Sequence, residues 1–334
     1  MARIAINGMG RIGRASFKII MDEPQLELVA VNDLIPADDL AYLLVYDSVY
    51  RKFSKQVKSR QEGLVVGEKT FKVFNERNPE KLPWGKLNVD IVLECTGLFT
   101  KRDDMEKHIR AGAKRVILSA PSKSDDITTV VYGVNAPDPA NVTLISTASC
   151  TTNCITPIME IIGRRIGIKK AMMSTVHAYT GSQALVDGPH KKPRRGRAAA
   201  VNLVPTSTGA AEATTKVLTQ LSEKFDGVAI RGPVPAGSIA DIVVLTERPT
   251  SVDEIISIFK EEVQTPRYKN VVGVTEDPIV SSDIIQDPRA SVIDLSMTRV
   301  VDGDLVNIMS WYDNEWGYAN QMVREAARIA GQPQ

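Results

Sequence analysis

Cys150 is the residue of this sequence whose type and setting most directly suggest chemistry. It stands in the run Ala-Ser-Cys-Thr-Thr-Asn-Cys at residues 148–154, and His177 follows 27 positions later. A cysteine becomes a nucleophile as its thiolate, and a nearby histidine can accept the proton. The sequence equally allows a small buried cysteine and a core histidine without a chemical role.

A helix is predicted to begin at Cys150, because apolar residues recur after it at helical spacing. A cysteine at a helix N-terminus faces the positive end of the peptide dipoles, which lowers its pKa and favours the thiolate. Cys154 lies one turn further on and Cys95 ends a predicted strand, so we expect both to be structural. The apolar positions are Ile155, Ile158, Met159, Ile162 and Ile166.

A glycine pattern near the start of the chain is typical of dinucleotide binding. Residues 8–14 read Gly-Met-Gly-Arg-Ile-Gly-Arg, between a predicted strand at 2–7 and a helical pattern. In such a motif, Gly8 allows a tight turn, Gly10 lets backbone approach a pyrophosphate, and Gly13 lets the helix pack on the strand. The helix N-terminus then faces the phosphates. The alternative is an ordinary strand–helix–strand unit with glycines at its turns.

Asp33 follows a second predicted strand, at residues 26–31, and lies 20 positions past Gly13. A carboxylate at this spacing accepts the ribose hydroxyls of a dinucleotide and repels a 2′-phosphate. The next residue, Leu34, offers no phosphate donor. NAD is therefore expected in preference to NADP.

The composition is that of a globular enzyme, with no excess of charge that would attract the chain to a membrane surface or to nucleic acid. The 334 residues are 43% hydrophobic and 24% charged, with a formal net charge of +1, and the length predicts two domains. Three cysteines form no paired framework, which argues for a reducing compartment. No cysteine or histidine spacing suits a metal, so none is expected. The chain enters its first strand without a leader and has no apolar run of spanning length, so a cytoplasmic location is expected.

Strand and helix patterns alternate through the first 150 residues, which predicts an α/β domain with a doubly wound parallel sheet. Ligands of such sheets gather at the carboxyl ends of the strands. Thr96, Gly97, Ser119 and Cys150 follow strands, so Cys150 is expected at the mouth of the dinucleotide cleft. Further strands are predicted at 89–95, 116–119 and 142–146, with a helix at 103–111.

After residue 150 the strand patterns are longer and the helices fewer, which predicts an α+β domain with a largely antiparallel sheet. The segment 316–329 is predicted to be a terminal helix with one apolar face. The predicted strands are 171–178, 228–232, 239–247, 292–295 and 305–312, and the helices are 209–224 and 252–263.

A basic segment at residues 186–197 has no periodicity. Three interpretations compete: a solvated loop, a nucleic-acid patch and an anion site for a substrate. The segment lacks the interleaved aromatic residues that stack on bases, which disfavours nucleic acid. We favour a loop that presents one or two arginines to a phosphate.

The chain resembles the phosphorylating glyceraldehyde-3-phosphate dehydrogenase family over essentially its full length. The cysteine motif together with the tryptophan-rich motif near the C-terminus is highly specific. The matching segments are residues 7–14, 148–154, 175–180, 194–195, 197–200, 205–211 and 311–318.

This resemblance implies a Rossmann domain over 1–149, completed by a C-terminal helix at 315–334, and a catalytic domain over 150–314. It also implies a homotetramer in which the basic segment lines a neighbouring subunit's coenzyme site. The implied reaction is the glycolytic, NAD-dependent oxidation of D-glyceraldehyde 3-phosphate to 1,3-bisphosphoglycerate. Inorganic phosphate is the second substrate, and a nucleic acid is not expected as the primary partner.

The resemblance also implies roles for single residues. Cys150 attacks the aldehyde to form a thiohemiacetal, and His177 pairs with the thiolate and handles the hydroxyl proton. Asn314 holds the nicotinamide carboxamide. Two phosphate sites are assigned to Ser149, Thr151, Thr180, Arg195, Thr208, Gly209 and Arg231. The remaining coenzyme contacts are Arg11, Ile12, Asp33, Arg77 and Ser119, besides the three glycines of the motif.

Two positions depart from the family pattern. Ser182 stands where many members have an aspartate near the substrate phosphate. Gly188 stands where NAD-specific members usually have a leucine, so some use of NADP is expected. The enzymatic alternative is an erythrose 4-phosphate dehydrogenase, which releases its thioester to water. A nucleotide-sensing or RNA-binding protein is the alternative from another class.

Overall fold

The computed structural model describes residues 1–61 and 63–331. The chain divides into two compact units. Unit 1 comprises residues 1–132, 136–148 and the C-terminal segment from 319, and unit 2 comprises 133–135 and 149–318.

Unit 1 is built on a mostly parallel sheet. Its described strands lie in the order β3-β4-β5-β2-β1-β6-β7-β9-β8, and only the two pairs among β3, β4 and β5 are antiparallel. Three helices of this unit are α1 (Arg11–Ile20), α2 (Ala37–Val45) and α3 (Arg102–Arg110). The strands are β1 (Ala2–Asn7), β2 (Leu26–Asn32), β3 (Val57–Arg60), β4 (Gly63–Val66), β5 (Lys69–Phe74), β6 (Ile91–Glu94), β7 (Arg115–Leu118), β8 (Thr128–Thr129) and β9 (Leu144–Ser146).

Buried aliphatic and aromatic side chains hold the helices of unit 1 against its sheet. Ile4 and Ile6 of β1 share a core cluster with Phe17 of α1. The terminal helix α7 (Trp316–Ala330) adds Met322 and Ala326 to the same cluster. Burying one large apolar side chain contributes about 1.5–3 kcal/mol, so the distant C-terminal segment is strongly held in this unit.

A buried polar network joins the carboxyl ends of β1 and β6 in unit 1. The Glu94 carboxylate accepts Nδ2–H of Asn7 at 2.6 Å, and it also accepts the backbone N–H of Thr96 at 2.8 Å. Trp84 Nε1–H donates to Nδ1 of His108, so Nε2–H of that ring donates to Glu94 at 3.0 Å. A buried carboxylate with this many donors is satisfied, and it ties together the loops that follow β1 and β6.

Unit 2 has an α+β fold built on one mixed sheet. Its strand order is β11-β12-β10-β13-β16-β15-β14, in which β10–β12 and β14–β15 are parallel and the other pairs are antiparallel. The helices are α4 (Cys150–Arg165), α5 (Ala210–Val217) and α6 (Val252–Glu262). The strands are β10 (Ile168–Ala178), β11 (Val204–Ser207), β12 (Phe225–Gly232), β13 (Ser238–Thr246), β14 (Val272–Thr275), β15 (Ser291–Val301) and β16 (Leu305–Tyr312).

The predicted fold class is confirmed in both units, and two details differ from the sequence-based expectation. The helix expected at 209–224 ends at Val217, and a single 3₁₀ turn follows at Thr219–Leu221, in a stretch whose threonines and valine are poor helix formers. The second difference is a set of elements that the sequence did not predict, namely the helix α2 and the strands β3, β4, β5, β8, β11 and β14. Among the helices that the structure describes, none combines the length and apolarity needed to cross a bilayer.

Candidate active site

The three motif glycines in unit 1 adopt the conformations that their predicted roles require. Gly8 has φ +93°, a region that favours glycine, and a Cβ there would lie 2.6 Å from the backbone nitrogen of Thr96. A Cβ on Gly13 would overlap the carbonyl oxygen of Gly8, so α1 packs directly on the loop. Gly10 has no neighbouring atom within 4 Å of a Cβ position, which leaves its backbone open to a ligand.

Asp33 organises the glycine loop as well as facing the adjacent cavity. Its Oδ2 accepts the backbone N–H of Met9 at 2.6 Å, and its Oδ1 accepts that of Ile35 at 3.2 Å. Each carboxylate oxygen has a second lone pair, so the group can still accept hydroxyls. A cavity of about 310 Å³ opens beside it, at the ends of β1, β2 and β6. Gly8, Gly10, Asp33 and Arg77 line this cavity.

Other predicted coenzyme residues of unit 1 lie outside the lining of that cavity. The Arg11 guanidinium pairs with Asp47 at 2.6 Å and stacks on the Tyr50 ring at 5.2 Å. Ile12 lies in the first turn of α1. Ser119 follows β7, and its backbone N–H donates to the carbonyl of Glu94 at 2.9 Å.

The loop and cavity suit a dinucleotide. A first glycine with positive φ, an open second glycine and a close-packed third glycine reproduce the geometry that lets backbone N–H groups approach a pyrophosphate. The carboxylate that ends β2 faces the same cavity, where it can accept ribose hydroxyls and disfavour an added phosphate. The described residues contain no cluster of His, Cys, Asp or Glu arranged to hold a metal ion.

In unit 2, Cys150 occupies the first turn of α4, as the sequence predicts. Ser149 is the N-cap, and its Oγ accepts the backbone N–H of Thr152 at 3.2 Å. The chain enters this cap through Ala148, whose φ of +54° lies in the left-handed region that favours glycine. The cap therefore presents the cysteine at the positive end of the helix with a defined orientation.

The Cys150 sulfur lies 3.3 Å from Nε2 of His177, within hydrogen-bond distance. His177 is near the end of β10, and the parallel register with β12 places it beside Arg231. Nδ1 faces both the Ala178 carbonyl oxygen at 2.6 Å, which can only accept, and a guanidinium nitrogen of Arg231 at 2.9 Å, which can only donate. We place the proton on Nδ1 because the contact with the carbonyl is the shorter, which leaves the lone pair of Nε2 to the thiol. Arg231 donates to the same carbonyl at 3.1 Å.

Burial and the neighbouring arginine decide the protonation of the histidine. They lower the pKa of His177 to about 3, and the hydrogen bond to Ala178 only partly opposes them. The imidazole is therefore neutral at neutral pH and can accept a proton. His177 is only 5% exposed, which explains the dominance of desolvation.

The thiol differs from the sequence-based expectation of a lowered pKa. The Cys150 side chain is partly exposed to solvent. Desolvation by the surrounding protein nevertheless raises the pKa of its thiol above the usual value. Arg231, the Thr151 hydroxyl and backbone N–H groups oppose this effect without reversing it. Nε2 of His177, 3.3 Å from the sulfur, is placed to accept the thiol proton.

The residues predicted to bind phosphate form several small groups within unit 2. Arg195 donates to the Thr206 hydroxyl at 3.0 Å and to that of Ser182 at 3.4 Å, and Ser182 in turn contacts Thr180 at 2.9 Å. The Arg231 guanidinium contacts the ring of His177 at 2.9 Å.

Two helix N-termini carry the remaining phosphate-site predictions. Gly209 caps α5 without a side chain, and the Thr208 hydroxyl accepts the backbone N–H of Ala210 at 3.2 Å. At α4, the Ser149 hydroxyl is engaged in the cap. The buried Thr151 hydroxyl contacts Tyr312 at 2.9 Å.

Asn314 is buried in unit 2 with a fixed carboxamide. Its Oδ1 accepts the Ser238 hydroxyl at 3.0 Å and the backbone N–H of Gly237 at 3.2 Å. Tyr312 and Thr175 were not singled out by sequence reasoning. Both stand in segments that carry the family resemblance, but nothing in their residue types marks them as neighbours of the cysteine.

The dinucleotide-binding unit, joined to a second unit with a cysteine–histidine pair, defines the class of the protein: a two-domain, NAD-binding dehydrogenase. Two family models match the chain. The NAD binding domain of glyceraldehyde 3-phosphate dehydrogenase matches residues 2–102, and the C-terminal domain of that enzyme matches residues 149–314. The chain belongs to the glyceraldehyde-3-phosphate dehydrogenase family.

Curated relatives agree over nearly the full chain. Glyceraldehyde-3-phosphate dehydrogenase of Streptomyces coelicolor is 50% identical over 324 residues, covering 96% of each chain. Glyceraldehyde-3-phosphate dehydrogenase 1 of Bacillus subtilis is 48% identical over 330 residues, covering 98% of each chain. The enzyme of Geobacillus stearothermophilus is 46% identical with the same coverage.

Replacing His177 with asparagine removes the base that faces the sulfur. We expect the pKa of the Cys150 thiol to rise further, since no neighbour then accepts its proton. The thiolate fraction at pH 7 falls, and alkylation of Cys150 by iodoacetamide slows at least ~10-fold. The measurement is the alkylation rate against pH, followed by mass spectrometry. The exposed His190→Asn substitution is the matched control, and an unshifted midpoint in His177→Asn would contradict the shared proton.

Proposed function

We propose that the chain catalyses the phosphorylating oxidation of D-glyceraldehyde 3-phosphate to 1,3-bisphosphoglycerate with NAD, and that Cys150 and His177 carry the reaction. The 3.3 Å contact between the sulfur and Nε2 is the observation that most supports these roles. A neutral imidazole beside a buried thiol is what nucleophilic attack by a cysteine requires.

The reaction begins at Cys150. Its thiol gives a proton to Nε2 of His177, and the sulfur attacks the aldehyde carbon; the returning proton makes the hydroxyl of a thiohemiacetal. His177 then takes that hydroxyl proton, and the C–H bond breaks as the carbonyl of a thioester forms. Bound NAD supplies the acceptor for the departing hydride. Phosphate attacks the thioester carbon, the C–S bond breaks, and the thiolate of Cys150 is released with the acyl phosphate.

Two anionic groups must be held near this sulfur, and unit 2 offers suitable donors. Arg195 with Thr180 and Ser182 forms one polar group, and Arg231 lies against the histidine. Guanidinium and hydroxyl donors at such positions bind phosphate oxygens with charge-assisted hydrogen bonds. We assign the remaining phosphate contacts to Ser149, Thr151, Thr208 and Gly209 at the starts of α4 and α5.

We also propose the division of labour along the chain. Residues 1–149 with the helix in 315–334 bind the coenzyme, and 150–314 carry the catalysis; residues 332–334 lie outside the described part. The glycine loop in the first unit and the cysteine–histidine pair in the second support this division. A cytoplasmic location is proposed on the three free thiols, which suit a reducing compartment.

The proposed reaction predicts product formation that depends on both the cysteine and phosphate. Cys150→Ser should lose at least ~10³-fold in kcat, because a serine hydroxyl is a far weaker nucleophile without a stronger base. The assay follows NADH and acyl phosphate with glyceraldehyde 3-phosphate, with and without phosphate. Cys154→Ser, the same change one turn along α4, should keep most activity.

Phosphate-independent release of the free acid at full rate would instead favour the hydrolytic alternative, in which erythrose 4-phosphate is the better substrate. Full activity in Cys150→Ser would contradict the assigned nucleophile. No contact of the described residues favours the erythrose 4-phosphate or the RNA-binding alternative over the proposed reaction.

The coenzyme preference is predicted to depend on the charge of Asp33. We expect a higher kcat/KM with NAD than with NADP, with NADP used measurably. Asp33→Asn keeps an acceptor for the Met9 N–H but removes the charge, so the ratio of the two efficiencies should narrow by about tenfold. Asp39→Asn, an exposed change nearby, should leave the ratio unaltered. A higher kcat/KM with NADP than with NAD in the unaltered chain would contradict the role assigned to Asp33.

Self-association into a homotetramer is proposed from the outer face of the unit 2 sheet. Met172 and Val228, on the neighbouring strands β10 and β12, are 57% and 51% exposed. Val176 adds a third apolar side chain further along β10, and such a patch marks an interaction surface. A second copy of the chain is the occupant we propose.

Light scattering should therefore give about four times the 36.5 kDa mass of one chain. Met172→Lys with Val228→Lys should lower that mass, because buried lysines without partners weaken an interface. Val301→Lys, at the exposed end of β15, serves as the control. A monomer at micromolar concentration of the unaltered chain would refute the assembly.

A further inference from the structure

Tyr312 places a buried phenol hydroxyl between a threonine of α4 and a threonine of β10. The side chain is 1% exposed. Its Oη lies 2.9 Å from Oγ1 of Thr151 and 2.8 Å from Oγ1 of Thr175. The reaction described above makes no use of this group, although a buried hydroxyl with two partners constrains whatever it joins.

Both partners are close in sequence to the reacting side chains. Thr151 directly follows the cysteine on α4, and its hydroxyl acts to lower the pKa of the Cys150 thiol against the effect of burial. Thr175 lies on β10, two residues before His177 and so on the same face of the strand. The Tyr312 ring lies edge-on to the imidazole, with centroids 6.0 Å apart at 74°. One side chain of β16 thus joins the nucleophile's helix to the base's strand.

The hydrogen bonds among the hydroxyls of Thr151, Tyr312 and Thr175 can run in two alternative directions. Each hydroxyl has a single proton. When Thr175 donates to the carbonyl of Ile239, at 3.0 Å, Tyr312 can donate to only one of the two threonines. Donation from Thr175 to Tyr312 would leave that carbonyl without its donor, so the two states differ in whether Tyr312 donates to Thr175 or to Thr151. When Tyr312 donates to Thr151, the proton of Thr151 is available to the sulfur. In that state the O–H groups of Tyr312 and Thr151 both point toward Cys150, an orientation that favours a negative charge on sulfur.

We propose that Tyr312 is a positioning residue that stabilises the Cys150 thiolate through Thr151 and holds the sulfur against His177. The inference deepens the proposed function and rests on the role of Cys150 in it. Tyr312 touches neither substrate nor coenzyme in this role. Its role is to orient the hydroxyl of Thr151, which donates a hydrogen bond to the sulfur.

Other groups around the sulfur act in the same region and must be separated from Tyr312. His177 and Arg231 face it from β10 and β12, and Cys154 lies one turn along α4. Arg195 acts on the histidine. Removing a neutral hydroxyl leaves all of these charges in place, so a Tyr312→Phe variant isolates the hydrogen-bond chain.

The test compares Tyr312→Phe with Tyr268→Phe in the full chain. Tyr268 is a second buried tyrosine of unit 2, and its hydroxyl donates to Glu160 at 2.5 Å without contact to the site. We expect alkylation of Cys150 by iodoacetamide, below the midpoint pH, to slow ~3- to 10-fold in Tyr312→Phe, with the midpoint displaced upward. Tyr268→Phe should lower Tm but leave the alkylation profile unchanged.

A second pair of variants keeps the proposal testable if Tyr312→Phe folds poorly. Thr175→Val removes the competing acceptor of the Tyr312 proton, so Tyr312 donates to Thr151 alone and the profile should be displaced in the opposite direction, toward lower pH. Thr175→Ser restores a hydroxyl and should restore the profile. In the double variant, Thr175→Val should add no further displacement to that of Tyr312→Phe, since it acts only through the Tyr312 hydroxyl. In steady state, kcat of Tyr312→Phe should fall while KM for glyceraldehyde 3-phosphate stays within about twofold.

Two outcomes would overturn the proposal. One is an alkylation profile in Tyr312→Phe that matches the unaltered chain. The other is an equal displacement in Tyr268→Phe, which would point to general loosening. Because alkylation reports only the acidity of the sulfur, it can support Tyr312 even if Cys150→Ser shows that the proposed reaction is wrong, and the two failures remain distinct.

Discussion

The contact between the Cys150 sulfur and Nε2 of His177 is the interaction on which the catalytic unit depends. The two residues come from different elements, one from the start of a helix and the other from the end of a strand. Neither would be reactive alone: the thiol is raised in pKa by burial, and the imidazole is kept neutral by burial and Arg231. Together they can exchange one proton without changing the net charge of a poorly solvated site, which is why their separation matters more than either group's own acidity.

The surroundings of the pair are arranged to keep that separation. Ser149 caps the helix and orients its first turn, and the carbonyl of Ala178 selects the tautomer of the histidine. Arg231 favours the thiolate and disfavours the imidazolium at the same time, since it is an opposite charge to one and a like charge to the other. Tyr312 links the two elements through hydroxyls. Uncharged donors suit this position, because they add orientation to a buried site without adding a charge to desolvate.

In unit 1, the glycine loop has to expose its backbone N–H groups and still remain rigid. Glycines provide the approach, and side chains below the loop provide the rigidity. Asp33 accepts the N–H of Met9, and the buried Glu94 holds the loops after β1 and β6. Both carboxylates accept hydrogen bonds from backbone or side-chain N–H groups that would otherwise be buried without an acceptor. The same residues that shape the cavity therefore also stabilise it.

Much of this architecture was determined by local sequence. The glycine motif, the helical repeat after Cys150 and the alternation of strands and helices predicted both sheets, because short-range periodicity and turn chemistry are encoded in neighbouring residues. The tertiary structure decided what depends on distant segments: that Tyr312 meets Thr151 and Thr175, that Arg231 lies on His177, and that Glu94 pairs with His108. It also decided the acidity of Cys150, where the sequence indicated only the helix dipole. Desolvation is a sum over every surrounding atom, so it exists only once the chain has folded around the sulfur.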